Sequence, residues 1–397
     1  MDLSIPSLAS LELAGKRVLV RVDFNVPKDE SGAIADDTRI VKALPTVRAI
    51  LAAGGRPILL SHLGRPKSGP EPKFSLAPVA QRLAEHLGDG HPVSFCGESQ
   101  GPAAAAAVEA LPAGGVLVCE NVRYNAGETK GDAGLAEGYA ALADVFVNDA
   151  FGSSHRNHAS VCGPAAHLPS AGGLLLEAEI AAFARVLGEP ARPLVAILGG
   201  AKVSDKLQVI DSLLDRVDRL LIGGGMAYTF LAAAGGKIGA SLVQEDQFDL
   251  VRSAVRKAES KGVQLLLPSD HVVGEAFDRD TAPKVVTGDI EDGWMGLDIG
   301  PDSQAAYAKA LSDAQTVIWN GPMGVFEWPS FAAGTRAVGE AVASCAGHTV
   351  VGGGDSVAAA EAFGLSARID HISTGGGASL ELLEGKLLPG VAALRKS

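Results

Sequence analysis

At 397 residues the chain exceeds one ordinary domain, and two domains of about 200 residues each are the natural division. Hydrophobic residues at 47% against 20% charged exclude global disorder, and 49 glycines with only 5% aromatic residues suit an α/β protein packed through small side chains. A net charge of −12, from 46 acidic and 34 basic residues, argues against a nucleic-acid partner but leaves room for small anions held by a local basic cluster.

The N-terminal stretch MDLSIPSLASLELAGKR carries Asp2 and Glu12 and lacks a basic start followed by a continuous apolar core, so no export signal is read. No later apolar run reaches bilayer length. A soluble, cytoplasmic protein without a membrane partner is expected. In the first half, short β-branched apolar runs recur: RVLVRVDFN, RPILLSHLG, GVLVCENVR and DVFVNDAFG. The stretch LPSAGGLLLEAEIAAFARVLGEPARP then reads as a connecting helix from Leu174 to Leu187, ended by Gly188 and Pro190. The second half brings PLVAILGGAK, RLLIGGGMA, VQLLLPSD, TVIWNGPMG, HTVVGGGDS and IDHISTGGG. Alanine- and leucine-rich helical segments separate most of these runs, which predicts α/β architecture: two similar doubly wound parallel-sheet domains joined by a hinge helix, with a deep cleft between them. Cys96, Cys119, Cys162 and Cys345 are scattered, without metal-site spacing, and read as buried small hydrophobes in a reducing compartment.

In doubly wound sheets ligands bind outside the carboxyl ends of the strands. In the first half those ends carry Arg21, Asp23, Asn25, Arg39, His62, Arg65, Arg123, His155, Arg156 and His158. Arginine at several strand ends of one sheet implies a basic bowl suited to carboxylate and phosphate oxygens. In the second half, LGGAKVSDKLQVIDSLL, VVGGGDSVAAA and STGGGASLELL lead from strands through glycines into helices. Helix N-termini with glycine beside them admit anions to backbone N–H groups. Lys202 and Lys206 precede the helix marked by Leu207, Ile210, Leu213, Leu214 and Val217, an end where the dipole disfavours cations, and a shared anion explains them better than solvation. If that helix includes both lysines, their spacing puts them on one face. Asp355 offers a hard oxygen for Mg²⁺, with an N-cap as its alternative role, and Ser356 could equally be that cap. No Walker A, dinucleotide-fingerprint or protein-kinase motif is present.

RVDFNVP, DDTRI, SHLGRP, ENVRY, FVNDAFG…HRNHAS, LGGAKVSDKL, IGGGMAYTFL, NGPMGVFE, GGGDS and STGGGASLELLEGK together resemble the phosphoglycerate kinase family, in its order, from Arg21 to Lys386. The resemblance implies reversible, Mg²⁺-dependent phosphoryl transfer between 1,3-bisphosphoglycerate and ADP, giving 3-phosphoglycerate and ATP. It implies a phosphoglycerate-binding domain over residues 1–172, a hinge helix over 173–187, a nucleotide-binding domain over 188–377 and a tail, 378–397, packing back on the first domain. Asp23, Asn25, Arg39, His62, Arg65, Arg123 and Arg156 would bind phosphoglycerate. Lys206, Gly353, Gly354, Asp355 and Ser356 would bind the nucleotide, Glu327 its ribose, and Gly224 its adenine, while Asp355 would hold Mg²⁺. Arg39, Lys202 and the amides around Gly376 would surround the phosphoryl group in transit. Ser356 stands where many relatives have Thr. A monomer is expected, with small molecules as its only partners.

The residue inventory agrees with that chemistry. A carboxylate acceptor is ionised at neutral pH and needs no general base, so positioning and charge neutralisation suffice. Closure of two domains over the ligands would exclude water from an acyl phosphate. Two rivals share the two-domain plan. A two-lobed solute-binding protein would carry an export signal, and a nicotinamide-dependent dehydrogenase would carry the missing fingerprint.

Overall fold

Strands that are apolar on both faces can be covered only by helices on both sides of a parallel sheet. In the computed structural model, which describes residues 2–67 and 69–395, every run read as a strand becomes one. β1 (Arg17–Arg21), β2 (Arg56–Leu60), β3 (Val93–Cys96), β4 (Val116–Cys119), β5 (Val145–Asn148) and β6 (Ser170–Gly172) form a wholly parallel sheet in the order β3-β4-β2-β1-β5-β6. Two of these strands escaped the sequence reading for a physical reason. β3 (VSFC) lies at the sheet edge with its middle exposed, and β6 (SAG) has only three small residues, so neither makes an apolar run.

A second parallel sheet contains β7 (Leu194–Leu198), β8 (Arg219–Ile222) and β9 (Gln264–Leu266). Between β9 and its remaining strands the chain inserts β10 (Asp270–Gly274), β11 (Lys284–Thr287) and β12 (Met295–Ile299), a small antiparallel sheet that the sequence reading did not anticipate. The buried polar pair Asp270–His271 and the mostly exposed β11 hide its pattern. β13 (Thr316–Asn320), β14 (His348–Val351) and β15 (His371–Ile372) complete the second parallel sheet, in the order β15-β14-β13-β7-β8-β9. Each parallel sheet has its own core, around Val18, Val20 and Val47 in the first and Ile197, Trp319 and Val351 in the second.

The chain divides into two units, Asp2–Ala181 with the segment from Leu387, and Ala182–Lys386. Helix Leu174–Leu187, rich in Leu, Ala and Glu, forms over the expected residues, and the division falls inside it. The return to the first unit begins at Leu387 rather than at residue 378. Helix Gly377–Leu383 packs on helix Leu207–Leu214 of the second unit, where Lys386 Nζ donates to Gln208 Oε1 at 3.1 Å. Beyond Leu387, the Gly390 N–H donates to Ser154 O at 2.8 Å and Arg395 pairs with Asp2. Among the described residues, no helix is long and apolar enough to cross a membrane.

Candidate active site

β1, β2, β4 and β5 run parallel, so the loops after them emerge at one edge of the first sheet. Arg21, the last residue of β1, is wholly buried. Its Nε donates to Ser160 Oγ at 2.8 Å and its Nη2 lies 3.2 Å from His62 Nδ1. The guanidinium can only donate, so His62 Nδ1 accepts and the imidazole proton sits on Nε2. Burial, together with Arg21, Arg123 and Arg156, keeps His62 well below the usual imidazole range despite Asp23. Behind Arg21, the buried Glu128 supplies countercharge and accepts from Ser160 N at 3.0 Å and Ser160 Oγ at 2.6 Å.

Asp23 pairs with Arg39 at 2.6 Å. Burial opposes its charge, but His62, Arg39, Arg21 and the Asn25 N–H outweigh burial and hold the carboxyl at about 2. His62 is neutral at neutral pH, so there the arginines are the fixed charges that Asp23 meets. Asn25 Oδ1 accepts the Gly64 N–H at 2.8 Å, tying the loop after β1 to the loop after β2. Arg123 donates from Nη1 to Gly64 O at 2.6 Å, while its buried Nε has no partner. Burial and the nearby Arg156, Arg21 and Arg65 lower Arg123 to about 10. It stays charged at neutral pH, crowded by cations and short of an acceptor. Arg65, Arg123 and Arg156, with Lys67, Lys130 and His158, line a pocket of about 790 Å³. Of the expected residues, these three arginines form its wall; His62 bonds to Arg21, Arg39 pairs with Asp23, and Asn25 is tied to Gly64, to whose carbonyl Arg123 donates.

In the second sheet β7 and β13 are neighbours at which the chain direction of build-up reverses, the place where such sheets bind ligands. Lys202, Lys206, Gly353, Gly354, Asp355, Ser356 and Gly376 line one pocket of about 460 Å³ beside these strands. An adjoining pocket of about 540 Å³ has Gly224, Glu327 and Asp355 on its wall, with Leu242, Phe277, Met295 and Val325. The two share Gly200, Ala201 and Asp355, so a polar chamber opens beside an apolar slot. Gly224 has φ +67°, and a Cβ there would lie 2.6 Å from Gly200 N. Gly376, at φ 48° and ψ −110°, turns the chain into helix Gly377–Leu383 in a conformation that side-chain-bearing residues avoid.

One helix does not carry both lysines. A 3₁₀ turn, Val203–Asp205, follows Lys202, and helix Leu207–Leu214 starts only after Lys206, so a shared helical face is ruled out. Lys202 is exposed, whereas Lys206 turns inward and its Nζ donates to Asn320 Oδ1. Asp355 and Ser356 are not caps either, since Gly353 precedes the helix Gly354–Ala362 that contains both. Ser356 Oγ, wholly buried, accepts the Gly321 N–H and braces the loop after β13.

Burial lowers Lys206 to about 8, against Asp355 and Asp205. A bound phosphate would favour its charged form, so nucleotide binding should take up a proton at alkaline pH. ADP affinity is expected to hold near pH 7.5 and to fall about tenfold between pH 8 and 9.5. Titration calorimetry in two buffers reads both quantities, and pH-independent affinity without proton uptake would remove Lys206 from the phosphate contacts.

Among the described residues, no group of three or more His, Cys, Asp or Glu side chains could hold a metal ion. Asp355 is a single exposed carboxylate on the wall of both pockets. That donor set fits a Mg²⁺ completed by water and substrate phosphates and does not fit an all-protein metal cage. The sequence reading omitted Asn320 and Glu128, and passed over Arg21 when assigning ligands. Asn320 was findable by the signal that marked Asp23 and His62, a polar residue closing a buried strand. Glu128 had none, because a fold brings it under Arg21.

The family model described as phosphoglycerate kinase matches residues 8–386. The phosphoglycerate kinase of Roseiflexus castenholzii is 55% identical over 389 residues, covering 98% of each chain. That of Deinococcus radiodurans is 55% identical over 392 residues, covering 98% of this chain and 94% of its own. The solved structure of phosphoglycerate kinase from Coxiella burnetii superposes with a TM-score of 0.90 at 42% identity, covering 99% of both chains. That from Pyrococcus horikoshii gives 0.85 at 31% identity, covering 98% of both. With half or more of its residues alike along nearly its full length, and the same pair of parallel sheets, the chain belongs to the phosphoglycerate kinase family.

Proposed function

We propose that the two units supply the two halves of a site that moves a phosphoryl group between the carboxyl of 3-phosphoglycerate and ADP. Membership of the family makes the chain a glycolytic phosphotransferase with a carboxyl acceptor. The solute-binding reading has no support. In our reading the basic pocket takes phosphoglycerate through Arg65, Arg123 and Arg156, with His62, Asp23, Asn25 and Arg39 completing it. The observation that carries this assignment is Arg123, a cation crowded by cations with one donor unmet. The polar chamber of the second unit takes the nucleotide phosphates against Lys206, Gly353, Gly354 and Ser356. Gly224 borders the adenine in the apolar slot, and Glu327 meets the ribose.

The acceptor carboxylate carries its charge at neutral pH, so transfer requires no base, and the neutral His62 and His158 have none to serve. Burial and the neighbouring Arg21, Arg123 and Arg156 hold His158 at about 4. Lys202, Arg39 and the backbone N–H groups near Gly376 are assigned to the phosphoryl oxygens in the transition state. A Mg²⁺ held by Asp355 and the nucleotide phosphates would neutralise phosphate charge. Ligands bound on separate units must meet for transfer, and helix Leu174–Leu187 is read as the hinge that lets them do so. The enzyme is further read as a cytoplasmic monomer.

Arg156→Ala in a coupled assay of ATP-dependent 1,3-bisphosphoglycerate formation tests the half-site assignment. KM for 3-phosphoglycerate is expected to rise on the order of tenfold or more with the KM for ATP unchanged, because a ground-state contact to one substrate is lost. A change confined to the ATP KM would place Arg156 with the wrong ligand.

A further inference from the structure

Asp149, the residue after β5, makes contacts that neither pocket uses. Its N–H donates to Arg21 O at 2.8 Å, and the loop leading from it carries Arg156. The residue is wholly buried, and its carboxylate meets a different element. Oδ1 accepts the N–H groups of Leu175 and Leu176, at 2.9 and 3.2 Å, in the first turn of helix Leu174–Leu187. The fit allows no slack, since a Cβ on Gly173 would lie 2.2 Å from Oδ1. Thr46, from helix Thr38–Ala52, takes the N–H of Leu174 at 2.9 Å. The helix therefore borrows its N-terminal caps from two other elements of the first unit, and its chain continues at Ala182 into the second.

We propose that Asp149 is a positioning residue for phosphoryl transfer, fastening the first turn of helix Leu174–Leu187 to the loop that bears Arg156 so that helix and substrate arginine move as one piece. The proposal rests on the reading of this helix as the hinge. The charge on Asp149 sets how firmly the joint holds, because ionised acceptors bind N–H groups about twice as strongly as neutral ones. Oδ2 is buried without a partner, so ionisation is costly there. Burial raises the carboxyl to about 7, with Glu177 on the helix adding repulsion and Thr46, Leu176 and Leu175 opposing. The anchor is thus charged above neutral pH and uncharged below it.

Asp149→Asn keeps an oxygen for both N–H groups and removes the charge at every pH. At pH 8.5 its kcat is expected to fall on the order of tenfold, with KM for 3-phosphoglycerate within about twofold, because the residue touches no ligand. The proposal predicts a rise in kcat through pH 7 in the natural protein, and that rise should be missing from the variant. Stability behaves differently from rate. A carboxyl raised in the folded state stabilises fully below its unfolded value, and that contribution is lost as pH rises through about 7. At pH 8.5 the asparagine variant should accordingly melt no lower than the natural protein. An unchanged kcat, or a pH limb that persists in the variant, overturns the anchor, as does a lowered melting temperature with kcat intact. Small-angle scattering with both substrates separates the two readings. If the natural protein does not contract, the hinge reading fails. If natural protein and variant contract equally and turn over equally, the hinge stands and the anchor falls.

Discussion

Lys202→Ala is expected to lower kcat by about 10²–10³-fold while ADP affinity changes by less than about twofold. Lys202 lies exposed on the wall of the polar chamber of the second unit, and among the described residues its ammonium makes no hydrogen bond or ion pair. It therefore holds nothing in the resting protein and is assigned to charge that develops only during transfer. Lys206 is the contrasting case. It is partly buried, bonded to Asn320 and lowered by burial, the profile of a group that contacts a ligand already in place. Steady-state kinetics with calorimetry separate the two lysines. An unchanged kcat in Lys202→Ala would remove it from the mechanism, and a large loss of ADP affinity would move it to ground-state binding.

Arg39→Ala is expected to reduce kcat/KM for 3-phosphoglycerate by about 10²–10³-fold, because one guanidinium is assigned to both the substrate and the moving phosphoryl group. The structure adds a second consequence. Arg39 is one of the cations that keep Asp23 ionised against its burial, so its removal should let the Asp23 carboxyl rise from about 2. That shift is readable by carbon NMR of labelled aspartate. Arg39→Lys restores charge without the planar fork and should recover only part of the rate. Full activity in the lysine variant would show that charge alone matters at this position. A loss confined to the nucleotide KM would place Arg39 outside the phosphoglycerate site.

How much was legible beforehand follows from how strongly each element declares itself. β7 is an unbroken apolar run and β1 and β13 are polar only at their end residues, because burial on both faces of a parallel sheet leaves no polar position in the middle. Helix Leu174–Leu187 had Gly188 and Pro190 to end it. β3, β6 and the antiparallel β10–β12 sheet had no such signature, since edge exposure, small residues and buried polar pairs break the pattern. The candidate site residues showed themselves where a polar or glycine-rich loop closes an apolar strand, as at Asp23, His62, Lys202 and Asp355. Their partners did not.

From its residues alone, then, the chain specifies two parallel sheets, the arginines of one and the lysines and glycines of the other, because local periodicity and strand-end chemistry are properties of contiguous sequence. Tertiary structure decides the states of those residues. His62 is a neutral acceptor because it is buried against Arg21, 41 positions away, Lys206 faces inward because Asn320 lies 114 residues on, and the Asp149 carboxyl is raised to about 7 because its burial outweighs the N–H groups of the helix it caps. Charge state and hydrogen-bond role depend on burial and on neighbours remote in sequence, which no local pattern encodes.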